Sequence, residues 1–272
     1  MTEESQRSAV ERPPLRPSAA PDAGRIRPGL CSVTFRRLPA AEVARLAVDA
    51  GLEVIEWGAD VHAPAGEPGA VRAVREVSAR HGLVCCSYGS YFRATPAELA
   101  GFPAVARAAV LLGAPRIRVW AGATGSREAL PEERRTTVRG LREAARIAAD
   151  HGLELATEFH GNTLTDTVAS TLRLLDEVDA DNVRTYWQPP QNTPDEEALA
   201  GLVALGERVT AVHVFSWWPG NNRLPLADRR DLWVAALGLQ AGRGVEALLE
   251  FVPGDDPAVL AREARTLRRA AG

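Results

Sequence analysis

Lysine is absent from the 272 residues, and all 32 basic side chains are arginine. Schiff-base aldolase chemistry, pyridoxal-phosphate anchoring and the P-loop each need that amine, so all three are excluded. Cysteine is scarce as well. Three residues, two of them adjacent (Cys85, Cys86), fit neither a disulfide framework nor a zinc-site spacing. A cytoplasmic, reducing location suits such a chain. No run approaches the roughly 18 uncharged apolar residues of a membrane helix. There is no basic excess either: 35 acidic residues against 32 basic give a net charge of −3, which argues against a nucleic-acid partner. Residues 1–28 lack the apolar stretch of a secretory signal and read as a disordered leader. What remains, in a chain that is 46 % hydrophobic, is enough to bury the core of one large domain over 29–272.

That domain has a rhythm. Helical stretches rich in Ala, Arg and Leu end at a glycine and a short β-type run follows, as in AVDAGLEVIEWG, SARHGLVCCSYG and AADHGLELATEF. Gly51, Gly82, Gly113 and Gly152 stand 31, 31 and 39 residues apart, one strand–helix unit each. Glycine there closes a helix in the left-handed region at no Cβ cost; Asn182, Gly206 and Gly244 fall at later junctions. The pattern predicts strands at 30–35, 54–57, 84–88, 116–120, 154–158, 183–187, 211–215 and 247–251. Helices follow at about 40–50, 68–81, 96–112, 131–151, 164–178, 194–206, 228–240 and 256–270. Eight such units close into an α/β (β/α)8 TIM barrel. An open doubly wound sheet would want a G-x-G-x-x-G turn after strand one, and CSVTFRRLP has none.

A barrel puts chemistry at the carboxyl ends of its strands. Strand five ends in Glu158, strand six runs into Gln188, strand seven carries His213 and strand eight ends in Glu250. One such residue alone is more often a hydrogen-bonded barrel residue than a ligand. Four on adjacent strands suit a divalent metal, Mn²⁺ or Mg²⁺, because buried carboxylates need a positive partner and these ions prefer oxygen donors. Among the other histidines, His81 and His151 precede helix-ending glycines and read as structural. His62 and His160 lie in rim loops, where substrate contact and loop packing are equal alternatives. Arg118, in phase with Trp120 on strand four, would anchor an anion or hydroxyl, or pair with Glu56, if it faces inward. Of the 15 aromatic residues, 13 fall at or just past strand ends, so Trp57, Tyr88, Trp120, Trp187 and Trp217 are expected to wall a mouth for a carbohydrate-like small molecule.

From Gly29 onward these landmarks resemble the xylose isomerase-like TIM-barrel superfamily, the sugar phosphate isomerase/epimerase group. They are GLCSVTFR, GLEVIEWG, APRIRVWAG, LATEFHGNTLTDT, TAVHVFSW and ALLEF. The resemblance implies a metal set of Glu, Asp, His and Glu, matched here by Glu158, His213 and Glu250, whereas YWQPPQN puts the uncharged Gln188 where the family has its acid. It further implies an isomerase or epimerase in which Glu158 and Glu250 exchange protons next to a carbonyl through an enediolate. A lyase (dehydratase) on the same scaffold, or a non-catalytic barrel with a degraded metal site, are the alternatives. Pairing into homodimers is also implied. The carboxylates are expected to titrate high in an apolar mouth, and the acidic EFVPGDDP argues against a phosphate cradle.

Overall fold

The computed structural model describes residues 24–272, and the predicted leader up to residue 23 lies outside them. Eight parallel strands close into a barrel: β1 (Arg27–Cys31), β2 (Val54–Gly58), β3 (Val84–Gly89), β4 (Arg116–Val119), β5 (Glu154–Thr157), β6 (Val183–Trp187), β7 (Val209–Val214) and β10 (Glu246–Leu249). Each strand pairs with its sequence neighbours, and β10 closes the ring against β1. Between β7 and β10 a small antiparallel ribbon, β8 (Ser216–Trp217) with β9 (Arg223–Leu224), stands on the rim.

The helices are α1 (Ala40–Asp49), α2 (Pro68–His81), α3 (Pro96–Leu99), α4 (Phe102–Leu112), α5 (Pro131–Asp150), α6 (Val168–Val178), α7 (Asp195–Leu205), α8 (Arg230–Leu239) and α9 (Leu260–Ala271). The glycine rule holds where it was expected: Gly82 and Gly113 cap α2 and α4 with φ of 69° and 81°. Asn182 departs from it. Asp179 takes the left-handed position after α6, while the Asn182 amide donates to the Ala145 and Leu153 carbonyls at 2.9 and 3.2 Å.

Three boundaries differ from expectation for local reasons. The stretch 96–112 is two helices, because Pro103 has no N–H to carry the ladder and starts a new helix after Gly101. The sixth helix begins at Val168, where the Thr167 side chain accepts from the Ser170 amide at 3.2 Å. Strand one starts at Arg27, inside the span read as leader, and ends at Cys31; the remainder of 30–35 is a 3-10 turn, Ser32–Phe35.

Side chains alternate between two cores. Tyr186, Leu248, Ala211, Ala156, Val54, Cys86 and Cys31 fill the barrel, and a much larger apolar layer lies between barrel and helices. Gly29 shows how tight the inside is: a Cβ there would sit 2.4 Å from Val54 and 2.6 Å from Leu248. Among the described residues no helix is long and apolar enough to cross a membrane.

Candidate active site

At the carboxyl end of the barrel a cavity of about 510 Å³ opens between the loops after the strands. Its floor is charged. Glu158 and Glu250 stand one step beyond β5 and β10, yet the ladder still holds them: the Glu158 amide donates to Val119 O at 2.8 Å and the Glu250 amide to Val214 O at 3.1 Å. The next residue, Phe251, turns the chain away in the left-handed region (φ 51°), its N–H bound to Thr34 Oγ1 at 3.2 Å. A bulky residue held there is the kind of backbone strain that gathers at functional sites.

The four residues singled out on strands five to eight come together. Around His213 Nδ1 stand Gln188 Oε1 at 3.1 Å, Glu250 Oε2 at 3.3 Å and Glu158 Oε1 at 3.7 Å. His213 is wholly buried, and its Nε2 lies 3.8 Å from Glu56 Oε1 without a hydrogen-bond partner among the described residues. Arg118 faces inward and pairs with two acids, donating Nε–H to Glu56 at 3.1 Å and Nη1–H to Glu158 Oε2. The Trp120 indole N–H donates to the same Glu158 oxygen. One oxygen of Glu158 is therefore fixed while Oε1 points at the imidazole. Tyr186 completes the layer by donating its hydroxyl to Glu56 Oε2 at 2.9 Å.

This crowding sets the protonation states. Burial tends to lower the His213 pKa, but Glu250, Glu56 and Glu158 outweigh it and lift the pKa to about 9. Burial and the neighbouring Glu158 raise Glu250 against the pull of His213. The expectation that both carboxylates titrate high fails for Glu158: burial pushes it up, but Arg118 and then His213 hold it below the usual range. Glu56 is likewise held well below that range by Arg118 against the effect of burial. The two candidate acid/base groups are thus shifted apart, Glu158 downward and Glu250 upward.

Of the residues expected to touch substrate, Arg118, Trp120, His160 and Trp217 line the cavity. His160 stacks on Trp120 with ring centroids 4.6 Å apart, and its Nδ1–H donates to the Gly161 carbonyl at 2.7 Å, which leaves Nε2 as an acceptor. The other four are not brought there. Trp57 is buried with its N–H on Ser78 of α2, Tyr88 donates to the Ala63 carbonyl, and Trp187 packs edge-on against Trp233 of α8. All three occupy the outward parity of their strands. Both ring nitrogens of His62 are engaged, with Ser32 Oγ and Leu38 O at 3.0 Å each, so it packs the loop. The cavity also holds residues the sequence did not single out. Arg36 donates to Asp60 and to the Tyr91 hydroxyl at 2.6 Å each, and Phe251 packs beside Trp217.

Closed barrel, charged floor and rim-loop cavity together define a TIM barrel with a candidate site at the carboxyl ends of its strands. A profile of the xylose isomerase-like TIM barrel family matches residues 44–245, and the chain belongs to that family. A 3-dehydroshikimate dehydratase from Bacillus anthracis is 42 % identical over 69 residues, a match that spans a quarter of this chain and a quarter of that protein's length. Solved structures agree in fold. The probable 3-DHS dehydratase AsbF involved in petrobactin synthesis, from Bacillus anthracis, superposes with a TM-score of 0.75 at 20 % identity, covering 89 % of this chain and 99 % of that one. For a D-allulose 3-epimerase from Methylomonas sp. the TM-score is 0.70 at 17 % identity, over 92 % and 99 %. A family protein from Mycobacterium smegmatis in complex with magnesium gives 0.64 at 17 %, over 92 % and 98 %.

Proposed function

We propose that the chain is a divalent-metal-dependent isomerase or epimerase. It would remove a proton next to a carbonyl of a polyhydroxylated, carbohydrate-like molecule and return it through an enediolate. The observation that carries this reading is the convergence of Glu158, Gln188 and Glu250 oxygens on His213 Nδ1 within 3.1–3.7 Å. Two carboxylates, an amide oxygen and an imidazole nitrogen in one buried pocket fit a Mn²⁺ or Mg²⁺ ion. When bound, such an ion supplies Lewis-acid stabilisation of the charge that develops on the substrate oxygens.

The protein's own groups divide the work. Glu158, ionised by Arg118 and fixed through Oε2, offers Oε1 as the base. Glu250, the second carboxylate of the set, hands a proton back. Trp217 and Phe251 supply the apolar wall for the C–H side of a sugar-like ring, while His160 Nε2 accepts from a hydroxyl.

A second reading keeps the first step and changes the outcome: Glu250 protonates a departing β-hydroxyl, and water is lost. The local 42 % match to a dehydratase favours it. A metal-supplemented panel of keto-sugars and hydroxy-carbonyl acids in D₂O separates the two. Deuterium on carbon with the formula retained identifies an isomerase or epimerase, and loss of water identifies a dehydratase. Glu158→Gln is expected to abolish exchange in either case. No exchange across the panel, or a Glu158→Gln variant as competent as the parent, would overturn the assignment.

A further inference from the structure

Inside the barrel, beside His213 and Glu250, lies a donor that the four-residue set leaves out. Cys31 is the last residue of β1 and faces inward, in phase with Gly29, with 1 % of its surface exposed. Its Sγ, a ring nitrogen of His213 and a carboxylate oxygen of Glu250 all lie within 4.8 Å of one another. Cys86 serves as an internal comparison. It too is buried inside the barrel, but its foremost charged neighbours are Glu246 and Arg116 at the opposite end, with Glu56 a lesser influence.

We propose that Cys31 is a fifth ligand of this centre, coordinating as a thiolate and selecting a thiophilic divalent ion such as Zn²⁺ or Co²⁺ over Mg²⁺. The inference rests on the metal-site reading above and deepens it. Its basis is ligand softness, since thiolate favours zinc and late transition ions whereas magnesium takes oxygen donors almost exclusively. Charge points the same way. Gln188 is neutral, so the carboxylates of Glu158 and Glu250 only just balance a divalent ion, and a thiolate adds a third negative charge against it. In the metal-free protein, burial followed by the nearby Glu56 and Glu250 keeps Cys31 a protonated thiol. Coordination replaces that proton, which leaves to bulk water, and no electron is transferred.

The test is optical and needs no substrate. Chelator-treated whole protein is titrated with Co²⁺, following the visible ligand-field bands and the near-ultraviolet sulfur-to-cobalt charge-transfer band. The expected result is that both appear together in the wild type. The charge-transfer band should vanish in Cys31→Ser and persist in Cys86→Ser. Zn²⁺ affinity of Cys31→Ser should fall by at least the roughly 10- to 100-fold that even an outer-shell deletion costs, with Mg²⁺ affinity unchanged. Ligand-field bands without charge transfer in the wild type would overturn the Cys31 assignment and leave the four-residue site standing. No cobalt binding at all would overturn both. The wild-type spectrum decides the matter even if the serine variant folds poorly.

Discussion

The inside of the barrel carries two arginine–glutamate clusters, two residues apart along β4, and they differ in what they leave over. At the amino end Arg116 bridges Glu154 at 2.5 Å and Glu246 at 3.0 Å, and Thr210 donates to the same Glu154 oxygen at 3.0 Å. At the carboxyl end Arg118 bridges Glu56 and Glu158 in the same fashion, but there Glu158 Oε1, Glu250 and Gln188 remain, all turned toward one imidazole. In the lower cluster both acids are held by one arginine and Glu154 is partly open to solvent; the upper one is fully buried and has further acceptors beneath an open mouth. Buried charge that is fully paired is architecture, whereas buried acceptors that outnumber donors mark a place for a cation.

Substitutions should separate the two ends. The largest effect is expected at the upper cluster, where Glu158→Gln lowers turnover by about 10²- to 10⁴-fold, the usual range for losing an acid/base group. Its loss of stability should be smaller than at Arg116, because Gln can still accept from Arg118 and Trp120 and Arg118 keeps Glu56. Next comes the lower cluster. Arg116→Met strands buried Glu246 and should cost about 3–5 kcal/mol in denaturant unfolding, while turnover per folded molecule stays near that of the parent. Equal loss of activity in both variants would erase the distinction.

A smaller effect is expected at Gly89 on β3, where a Cβ would come within 2.8 Å of both Arg118 Nη2 and Glu56 Oε1. Gly89→Ala should destabilise by about 1–3 kcal/mol through overpacking and lower turnover by displacing Arg118 from Glu158. An unchanged melting curve would mean the upper cluster yields more freely than its packing implies.

Smallest is a pH effect in the chelator-treated protein. The folded-state pKa of His213 is raised to about 9, despite burial, by Glu250, Glu56 and Glu158, against an ordinary value near about 6.5. The stabilisation is therefore complete below about pH 6.5 and disappears as the pH climbs through about 9. Melting temperature should fall across that window and flatten in His213→Gln. A parent profile without that fall would show that the imidazole is not charged in the metal-free fold.

Much of this was legible in the sequence because the barrel repeats itself. Gly82 and Gly113 announce helix ends through backbone conformation, which depends on the residue alone. Glu158, His213 and Glu250 could be read because any polar residue at a strand's carboxyl end lands on the same rim. The errors lie one step finer, in parity. Trp57, Tyr88 and Trp187 stand at strand ends but face the helices, and counting alternate positions from Glu56 and Tyr186 would have placed two of them outside. The bulge between Ile55 and Glu56 shifts the register of β3, so no count along the chain would have placed Tyr88. Cys31 escaped because spacing rules for cysteine ligands look along one segment, while this thiol meets its neighbours across three strands. The low titration of Glu158 also depended on a partner, Arg118, whose inward orientation the sequence left open.

The central claim is that the upper cluster holds a divalent ion through Glu158, Gln188, His213 and Glu250. Calorimetric titration of chelator-treated protein with Mn²⁺ and Zn²⁺, alongside Glu250→Gln, tests it most directly. One ion per chain, a raised melting temperature on binding and weakened affinity in the variant are predicted. A wild-type chain that takes up neither ion, or a variant that binds as tightly as the parent, would contradict it.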